Sequence, residues 1–304
     1  MAETVPSRNR GLERMLETLV TGANPDGGWA YYPGHASRLE PTCWALLALL
    51  AHPSTAGSDI SAHRDFLLRS RRSDGLVLEH AIGEENRPNL AFNGLLALLL
   101  LAERRLASDA FRTALLSALV ANKGAQYPPS SINRQDNALQ GWAWIDSTFS
   151  WVEPTSWCLL ALKKALLVSP GARDRIGAGE RLLVDRCCAA GGWNYGNANM
   201  LGQDLRPYVS TTALGLLAMQ DRRQEPSVVR SLDYLVRHRV SEESAMALAL
   251  TLISLRVLGV RTEDVESRLL SQWDRTAFLG NHHLIAIAAC SLTGGPSVDA
   301  AFRV

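Results

Sequence analysis

The sequence has little net charge and no long apolar run. Its 304 residues carry 31 lysines and arginines against 30 aspartates and glutamates, a net charge of +1. This balance provides no field that would concentrate DNA or RNA, so nucleic acid is not an expected partner. The longest apolar run, residues 95–102, is far shorter than the roughly 18 residues that a membrane-spanning helix needs. A peripheral contact with a membrane stays open.

Cysteine is scarce and is spaced unfavourably for a metal cluster. The five cysteines include one adjacent pair but no Cys-x-x-Cys spacing, which argues against a zinc site and against a disulfide framework. Free buried thiols fit a reducing cytoplasm, and the first ten residues lack the apolar core of a signal peptide. We therefore expect a cytoplasmic protein that uses no metal or other cofactor.

A repeat is the most informative feature that the sequence does contain. Three glycine-containing turns end in Trp29, Trp142–Ala–Trp144 and Trp193, and an apolar segment follows each of them. The three following segments begin Glu40-Pro-Thr-Cys-Trp-Ala-Leu-Leu, Glu153-Pro-Thr-Ser-Trp-Cys-Leu-Leu and Tyr208-Val-Ser-Thr-Thr-Ala-Leu-Gly. Self-similarity at this spacing indicates stacked supersecondary units.

The apolar segments fall into two kinds that alternate along the chain. Six are apolar nearly all round, as in helices buried on every side: about 40–52, 89–103, 153–168, 209–220, 243–258 and 281–292. Six carry charges on one face and apolar residues on the other, as in surface helices: about 9–20, 59–71, 108–122, 172–188, 226–239 and 262–274. The alternation predicts an all-α, single-domain (α/α)6 toroid over residues 1–304, with six inner and six outer helices.

The lengths of the loops indicate which end of the toroid carries the function. Four connections that lead from an outer helix into an inner one are long, about 21–39, 72–88, 123–152 and 189–208. They all lie at the end where the inner helices begin, and long loops on a rigid scaffold commonly carry function. We expect the mouth of a binding pocket there.

The Gly-Gly-Trp turns and the Glu-Pro-Thr-x-Trp helices resemble the repeats of the squalene-hopene cyclase and protein prenyltransferase beta-subunit superfamily, over essentially the whole chain. The resemblance implies the toroid and an isoprenoid ligand. In the related class II terpene cyclases, the middle Asp of Asp-x-Asp-Asp-Thr-Ala protonates an alkene or epoxide. Aligned by its threonine, that motif falls on residues 151–156 or 38–43, where Glu153 or Glu40 replaces the middle Asp and the neighbouring carboxylates are absent.

The same resemblance argues against zinc. The zinc ligands of the prenyltransferases are an Asp-x-Cys pair and a His, and they fall here on Glu153, Thr155 and Val209. Neither a thiolate nor an imidazole is left in that set, so no metal site is expected.

Three carboxylates are the candidate catalytic residues: Glu153, Asp146 and Glu40. Glu153 is the expected general acid, and Asp146, seven residues earlier in the same loop, is the expected neighbour that raises its pKa against the helix dipole. The competing interpretation is that Glu40 and Glu153 are only N-cap carboxylates of helices that start with proline.

Aromatic residues concentrate in the long loops, where they can line a pocket or stabilise a carbocation. The candidate substrate-binding residues are Trp142, Trp144, Phe149, Trp151, Tyr208, Tyr32, Tyr195 and His35. His35, near Arg38, could meet an anionic head group at the helix N-termini. The competing interpretation is that the tryptophans pin loops to outer helices and that His35 is an ordinary loop residue.

Three functions are compatible with these residues. The first is an isoprenoid-binding, terpene cyclase-like enzyme, an isomerase or lyase that carries out metal-free, acid-initiated cyclisation or isomerisation of an extended apolar substrate. The second is a carboxylate-dependent glycan-processing enzyme, because aromatic platforms also stack sugars. The third is a non-catalytic scaffold that binds a ligand or a partner.

Overall fold

The two kinds of apolar segment become two kinds of helix in the computed structural model, which describes residues 4–79, 87–165 and 171–304. Ala and Leu occupy every face of the buried kind, so these helices are covered along nearly their whole length. They are α2 (Leu39–Ala51), α4 (Leu90–Ala102), α6 (Val152–Lys164), α8 (Val209–Ala218), α10 (Ala245–Leu258) and α12 (His282–Thr293). Each packs against the next, and α12 packs against α2, which closes the inner ring.

The amphipathic segments surround this ring as the outer helices. They are α1 (Thr4–Thr21), α3 (Ser61–Arg69), α5 (Asp109–Ala121), α7 (Ala172–Asp185), α9 (Pro226–His238) and α11 (Glu263–Thr276). Helix α1 packs against α12, α5 against α4, α7 against α6, α9 against α8 and α11 against α10. The predicted all-α toroid with alternating inner and outer helices is confirmed.

Strand structure is minor within the described residues. A two-stranded antiparallel hairpin, β1 (Asn199–Met200) and β2 (Gln203–Asp204), stands in the loop before α8. Its turn places Leu201 at φ 51° and Gly202 at φ 77°. Three 3-10 segments, Arg104–Leu106, Arg239–Ser241 and Ala277–Gly280, complete the connections.

One helix was not predicted, and it changes the interior. Helix α13 (Gly295–Phe302) follows a Gly-Gly-Pro-Ser stretch that is typical of a turn, but its proline occupies the first helical turn, where a missing N–H costs nothing. Helix α13 packs against α2, α4, α10 and α12, and it brings the fully buried Phe302 onto Trp44 with 5.8 Å between ring centroids.

The ends of α6, α8 and α10 hold α13 in place. Lys164 donates to the carbonyl oxygens of Ala300 and Arg303, and Gln220 donates to that of Phe302 at 2.8 Å. Arg256 pairs with Asp299, with 3.1 Å between Nε and Oδ1. The toroid is therefore closed at the end where the inner helices finish.

Candidate active site

The repeat encodes a fixed set of hydrogen bonds between loop, outer helix and inner helix. The indole N–H of Trp29, Trp142 and Trp193 donates to the carbonyl oxygen of Leu19, Leu119 and Leu183 respectively, at 2.7–2.8 Å. The backbone N–H of the same tryptophans donates to the hydroxyl oxygen of Thr42, Thr155 and Thr212, at 2.9–3.0 Å. Each long loop is thus tied to both rings at its tryptophan.

Trp142 belongs to this anchoring set and not to a pocket wall. Its side chain has no exposed surface, and the guanidinium of Arg175 covers its ring at 4.0 Å. Thr155 is one of the positions aligned with zinc ligands. Its hydroxyl oxygen accepts the hydrogen bond from the Trp142 N–H. Val209, another of them, is a buried residue at the start of α8.

A fourth copy of this arrangement escapes detection in the sequence because its tryptophan is missing. Val77 stands in the place of the tryptophan, and Asn93 of α4 stands in the place of the threonine. The Val77 N–H donates to Asn93 Oδ1 at 2.8 Å, and Asn93 Nδ2 donates back to the Val77 carbonyl at 2.9 Å. The signal that remains in the sequence is Gly75, which has φ 95° and packs so tightly on α5 that a Cβ would lie 2.7 Å from the Ala114 carbonyl oxygen.

Anchored in this way, the inner helices bring two carboxyl groups together at the mouth. Glu40 and Glu153 are the second residues of α2 and α6, and neither helix has a side-chain cap. The interpretation of both as N-cap carboxylates is therefore wrong. The N-cap residues are Arg38 and Trp151, whose backbone N–H groups donate to the carbonyl oxygens of the anchoring tryptophans.

Glu40 is hydrogen-bonded to Tyr31 and lies close to His283. The Tyr31 hydroxyl donates to Glu40 Oε2 at 2.6 Å, and His283 Nε2 lies 3.4 Å from Glu40 Oε1. Burial and the charge of Glu40 raise the pKa of Tyr31 far above its usual value, so Tyr31 stays a donor. The Tyr31 and His283 rings meet edge to face at 5.9 Å, and the Tyr31 carbonyl accepts the N–H of His282.

Glu153 has the electrostatic character of a proton donor. Burial first, and the charge of Glu40 second, raise its pKa from 4.5 to about 8, while a hydrogen bond with the Trp157 side chain opposes the rise. Asp146, the expected neighbour, is exposed in the loop. The neighbouring charge that raises the pKa of Glu153 is that of Glu40, whereas Asp146 was the expected one.

Aromatic rings form the floor beneath these carboxyl groups. Trp44 and Trp157, one turn further along α2 and α6, meet at 5.7 Å between ring centroids, and Phe302 lies 6.4 Å from Trp157. All three side chains are buried. These rings therefore pack together inside the inner ring, one helical turn from the carboxyl groups.

The other predicted binding residues are spread around the rim. Phe149 contacts Trp151 at 5.3 Å, and Tyr195 contacts Tyr208 at 5.2 Å between ring centroids. Trp144 packs on Phe92 of α4 instead of facing the mouth carboxylates. Tyr32 and His35 are exposed together in the loop before α2, where the N–H of His35 donates to the carbonyl of Tyr32 at 3.3 Å.

Over residues 4–79, 87–165 and 171–304, no three His, Cys, Asp or Glu side chains come together in a metal-binding group. All five cysteines are unpaired. Among the helices that can be described, none is both long enough and apolar enough to cross a bilayer.

Comparison with known proteins supports the fold. No family model and no curated protein matches the sequence. Solved structures do match it: a β-1,3-1,4-glucanase from Paenibacillus sp. X4 has a TM-score of 0.60 at 11% identity, with 96% of this chain and 93% of the glucanase covered. A cellobiose 2-epimerase from Bacillus thermoamylovorans also has a TM-score of 0.60 at 11% identity, covering 91% and 88%.

A terpene cyclase shares the architecture as well. The ent-copalyl diphosphate synthase from Streptomyces platensis matches 95% of this chain with 18% identity and a TM-score of 0.50, and the chain spans 50% of that synthase. Identities this low show a shared fold and not a shared reaction. The chain thus has the α/α toroid fold that terpene cyclases and glycan-processing enzymes use.

Proposed function

We propose that this chain is an enzyme in which Glu153 is the general acid and Glu40 the second carboxyl group, acting on a neutral sugar substrate at the mouth of the toroid. The observation that carries the proposal is the position of Glu153, whose pKa is raised to about 8 beside Glu40. A carboxyl group in this state is protonated at neutral pH and can deliver its proton to a bound substrate.

The strength of this acid favours oxygen as the proton acceptor. General acids work best when their pKa lies near the working pH, and an acid of pKa about 8 is a weak donor. An unactivated alkene is a very poor base, whereas a glycosidic or carbonyl oxygen accepts a proton as its bonds rearrange. Glu153 is therefore better matched to glycosidic-bond cleavage or sugar isomerisation than to protonation of a carbon–carbon double bond.

Glu40 is the carboxyl group that we expect to stabilise the positive charge on the substrate. When Glu153 gives its proton to a substrate oxygen, positive charge develops on the substrate and Glu153 becomes a carboxylate. Glu40, fixed by the Tyr31 hydroxyl and facing His283, stands next to that charge. A pair of carboxyl groups, one of which donates a proton to the substrate, is the recurring arrangement of glycoside chemistry.

The rim and the neighbouring folds point to the same substrate class. Tyr32, Tyr195 and Tyr208 are all exposed at the mouth, and tyrosine offers a ring face together with a hydroxyl, as sugar stacking requires. Among the proteins that share the fold are a glucanase and a cellobiose 2-epimerase, which by analogy raises the expectation for a saccharide.

Acid-initiated cyclisation or isomerisation of an isoprenoid is the second candidate. It is favoured by the floor of Trp44 and Trp157 directly below Glu153, since aromatic faces stabilise a carbocation.

Turnover of a panel of neutral oligosaccharides and of short prenyl alcohols separates the candidates. With the active substrate, Glu153→Gln should lower kcat by roughly 100-fold or more, because the amide keeps the shape but has no acidic proton. The matched control is Asp146→Asn, an exposed carboxylate of the same loop, which should retain activity. A fully active Glu153→Gln variant would remove Glu153 from the mechanism.

The pH profile gives a second check on the acid. The rate should be retained below about pH 8 and fall above it, as Glu153 loses its proton. In Glu40→Gln the charge that helps to hold the proton is gone, so the fall should move to lower pH. If the wild type turns over no member of the panel, the scaffold hypothesis is favoured.

A further inference from the structure

We propose that the toroid has a separate binding groove for a neutral saccharide chain, between the loop before α6 and the loop before α8. This inference rests on the proposed substrate class but concerns a different site. The groove encloses about 290 Å³. It is lined by Tyr127, Asn133, Gln135, Asn137, Phe149, Trp151, Asn197 and Met200.

One wall of the groove is aromatic. Tyr127 lies 6.3 Å from Phe149, and Phe149 lies 5.3 Å from Trp151, between ring centroids. The buried guanidinium of Arg186 supports Phe149 at 5.4 Å from the ring centre and pairs with Asp185. A continuous, supported row of rings offers faces against which the C–H surfaces of sugar rings can stack.

The opposite wall consists of side-chain amides. Gln135 Nε2 donates to Asn137 Oδ1 at 3.2 Å, and Asn137 Nδ2 donates to the Pro128 carbonyl and to Asn133 Oδ1, both at 3.3 Å. Gln135 Oε1 is buried and accepts no hydrogen bond from the described residues. The side chains of Asn133 and Asn197, which also line the groove, are partly exposed, and their amides can donate to and accept from sugar hydroxyls.

The charge of the groove selects against ionic ligands. None of the described residues that line it is Asp, Glu, Lys, Arg or His. A phosphate, a nucleotide or an acidic peptide would lose its hydration there without gaining a counter-charge. Rings on one side and neutral amides on the other fit a ligand with apolar faces and hydroxyl edges.

The groove is held open by backbone hydrogen bonds. The Leu201 N–H at the hairpin tip donates to the Ile132 carbonyl at 2.6 Å, which ties the two loops together. Within the loop before α6, the Tyr127 N–H donates to the Asn137 carbonyl at 3.0 Å. A preformed groove spares the ligand the cost of ordering these loops. Trp151, which lines the groove, is also the N-cap residue of α6, the helix that carries Glu153.

Titration calorimetry with cellohexaose, mannohexaose and xylohexaose tests the groove without any turnover. At least one hexasaccharide should bind, and Tyr127→Ala should weaken that binding roughly tenfold by removing one stacking ring. Asn197→Ala, which removes one of the amides that line the groove, should also weaken that binding. The control is Val229→Ala, an exposed residue of α9, which should bind like the wild type.

Glu153→Gln separates this inference from the proposed function, because that variant should lose turnover and keep the groove affinity. Failure of all three hexasaccharides to bind at millimolar concentration would overturn the inference, as would wild-type affinity in Tyr127→Ala. Binding to phosphatidylcholine vesicles that Tyr127→Ala abolishes would assign the groove to a membrane surface and would overturn it too.

Discussion

At the scale of single residues, the protonation of Glu153 is decided by competing effects. The start of α6 favours a negative charge through its dipole, which lowers a carboxyl pKa. Burial and the neighbouring charge of Glu40 act in the opposite direction and prevail, so the pKa rises to about 8. Helix position alone therefore gives the wrong protonation state for this group.

The raised pKa of Glu153 makes stability depend on pH. Between pH 4.5 and about 8 the folded chain keeps a proton that the unfolded chain releases, so the free energy of unfolding falls as pH rises through this window. Glu153→Gln cannot ionise, and its free energy of unfolding should exceed that of the wild type by a margin that grows across the window to a few kcal/mol.

Urea denaturation at pH 5, 6.5 and 8 measures this margin. Asp146→Asn serves as the control, since that exposed side chain should give a difference close to zero at every pH. A margin for Glu153→Gln that does not change with pH would mean that folding leaves the pKa of Glu153 unaltered.

The sequence predicts the two carboxyl groups of the candidate site but not their surroundings. Glu40 and Glu153 were both predicted from the Glu-Pro-Thr repeat, because a repeated motif places equivalent residues at equivalent helix starts. The sequence assigns no role to Tyr31, which donates to Glu40, or to His283, which lies beside it. They are separated by some 250 positions, and only closure of the ring between α12 and α2 brings them together.

At the scale of the elements, the threonines that accept hydrogen bonds from the tryptophan N–H groups connect the long loops to the inner helices. Thr155→Val keeps the volume but leaves the buried N–H of Trp142 without its acceptor at 3.0 Å. The free energy of unfolding should fall by about 1–3 kcal/mol. Thr42→Val and Thr212→Val remove the equivalent acceptors of Trp29 and Trp193. They should lower the free energy of unfolding by similar amounts.

Guanidinium denaturation of the three variants tests this equivalence. Thr113→Val, on the outer helix α5, is a matched control in which no tryptophan N–H is affected. Losses below 0.5 kcal/mol in all three repeat variants would show that the shared hydrogen bonds do not stabilise the loops.

At the scale of the whole molecule, α13 completes an interior that the two rings leave open. Phe302 fills the space against Trp44 and Trp157, so Phe302→Ala should lower the free energy of unfolding by about 3–5 kcal/mol through loss of burial and creation of a cavity. Chemical denaturation followed by near-ultraviolet circular dichroism measures both the stability and the tryptophan environment.

Val304→Ala is the control for that experiment, because Val304 is partly exposed next to the same helix. This variant should lower the free energy of unfolding only slightly. A loss of less than 1 kcal/mol in Phe302→Ala would mean that the inner helices can close over the space without α13.

The overall architecture could be predicted because it depends on periodicity. Six segments that are apolar on every face cannot be exposed, and six amphipathic ones can cover them, which leaves little choice but two concentric rings. Helix α13 could not be predicted in the same way, since eight residues that begin Gly-Pro-Ser carry too short a pattern to separate from a turn. The packing of Phe302 on Trp44 and Trp157 is for that reason absent from the prediction.

The effect of the Trp157 side chain on the pKa of Glu153, one turn earlier on α6, has an optical consequence. Indole emission responds to a charge placed beside the ring, so loss of the Glu153 proton should change the fluorescence of Trp157. A titration from pH 6 to pH 10 should therefore show a transition near pH 8 that is absent from Glu153→Gln. The pKa of Glu153 can therefore be measured from tryptophan fluorescence before any substrate is known.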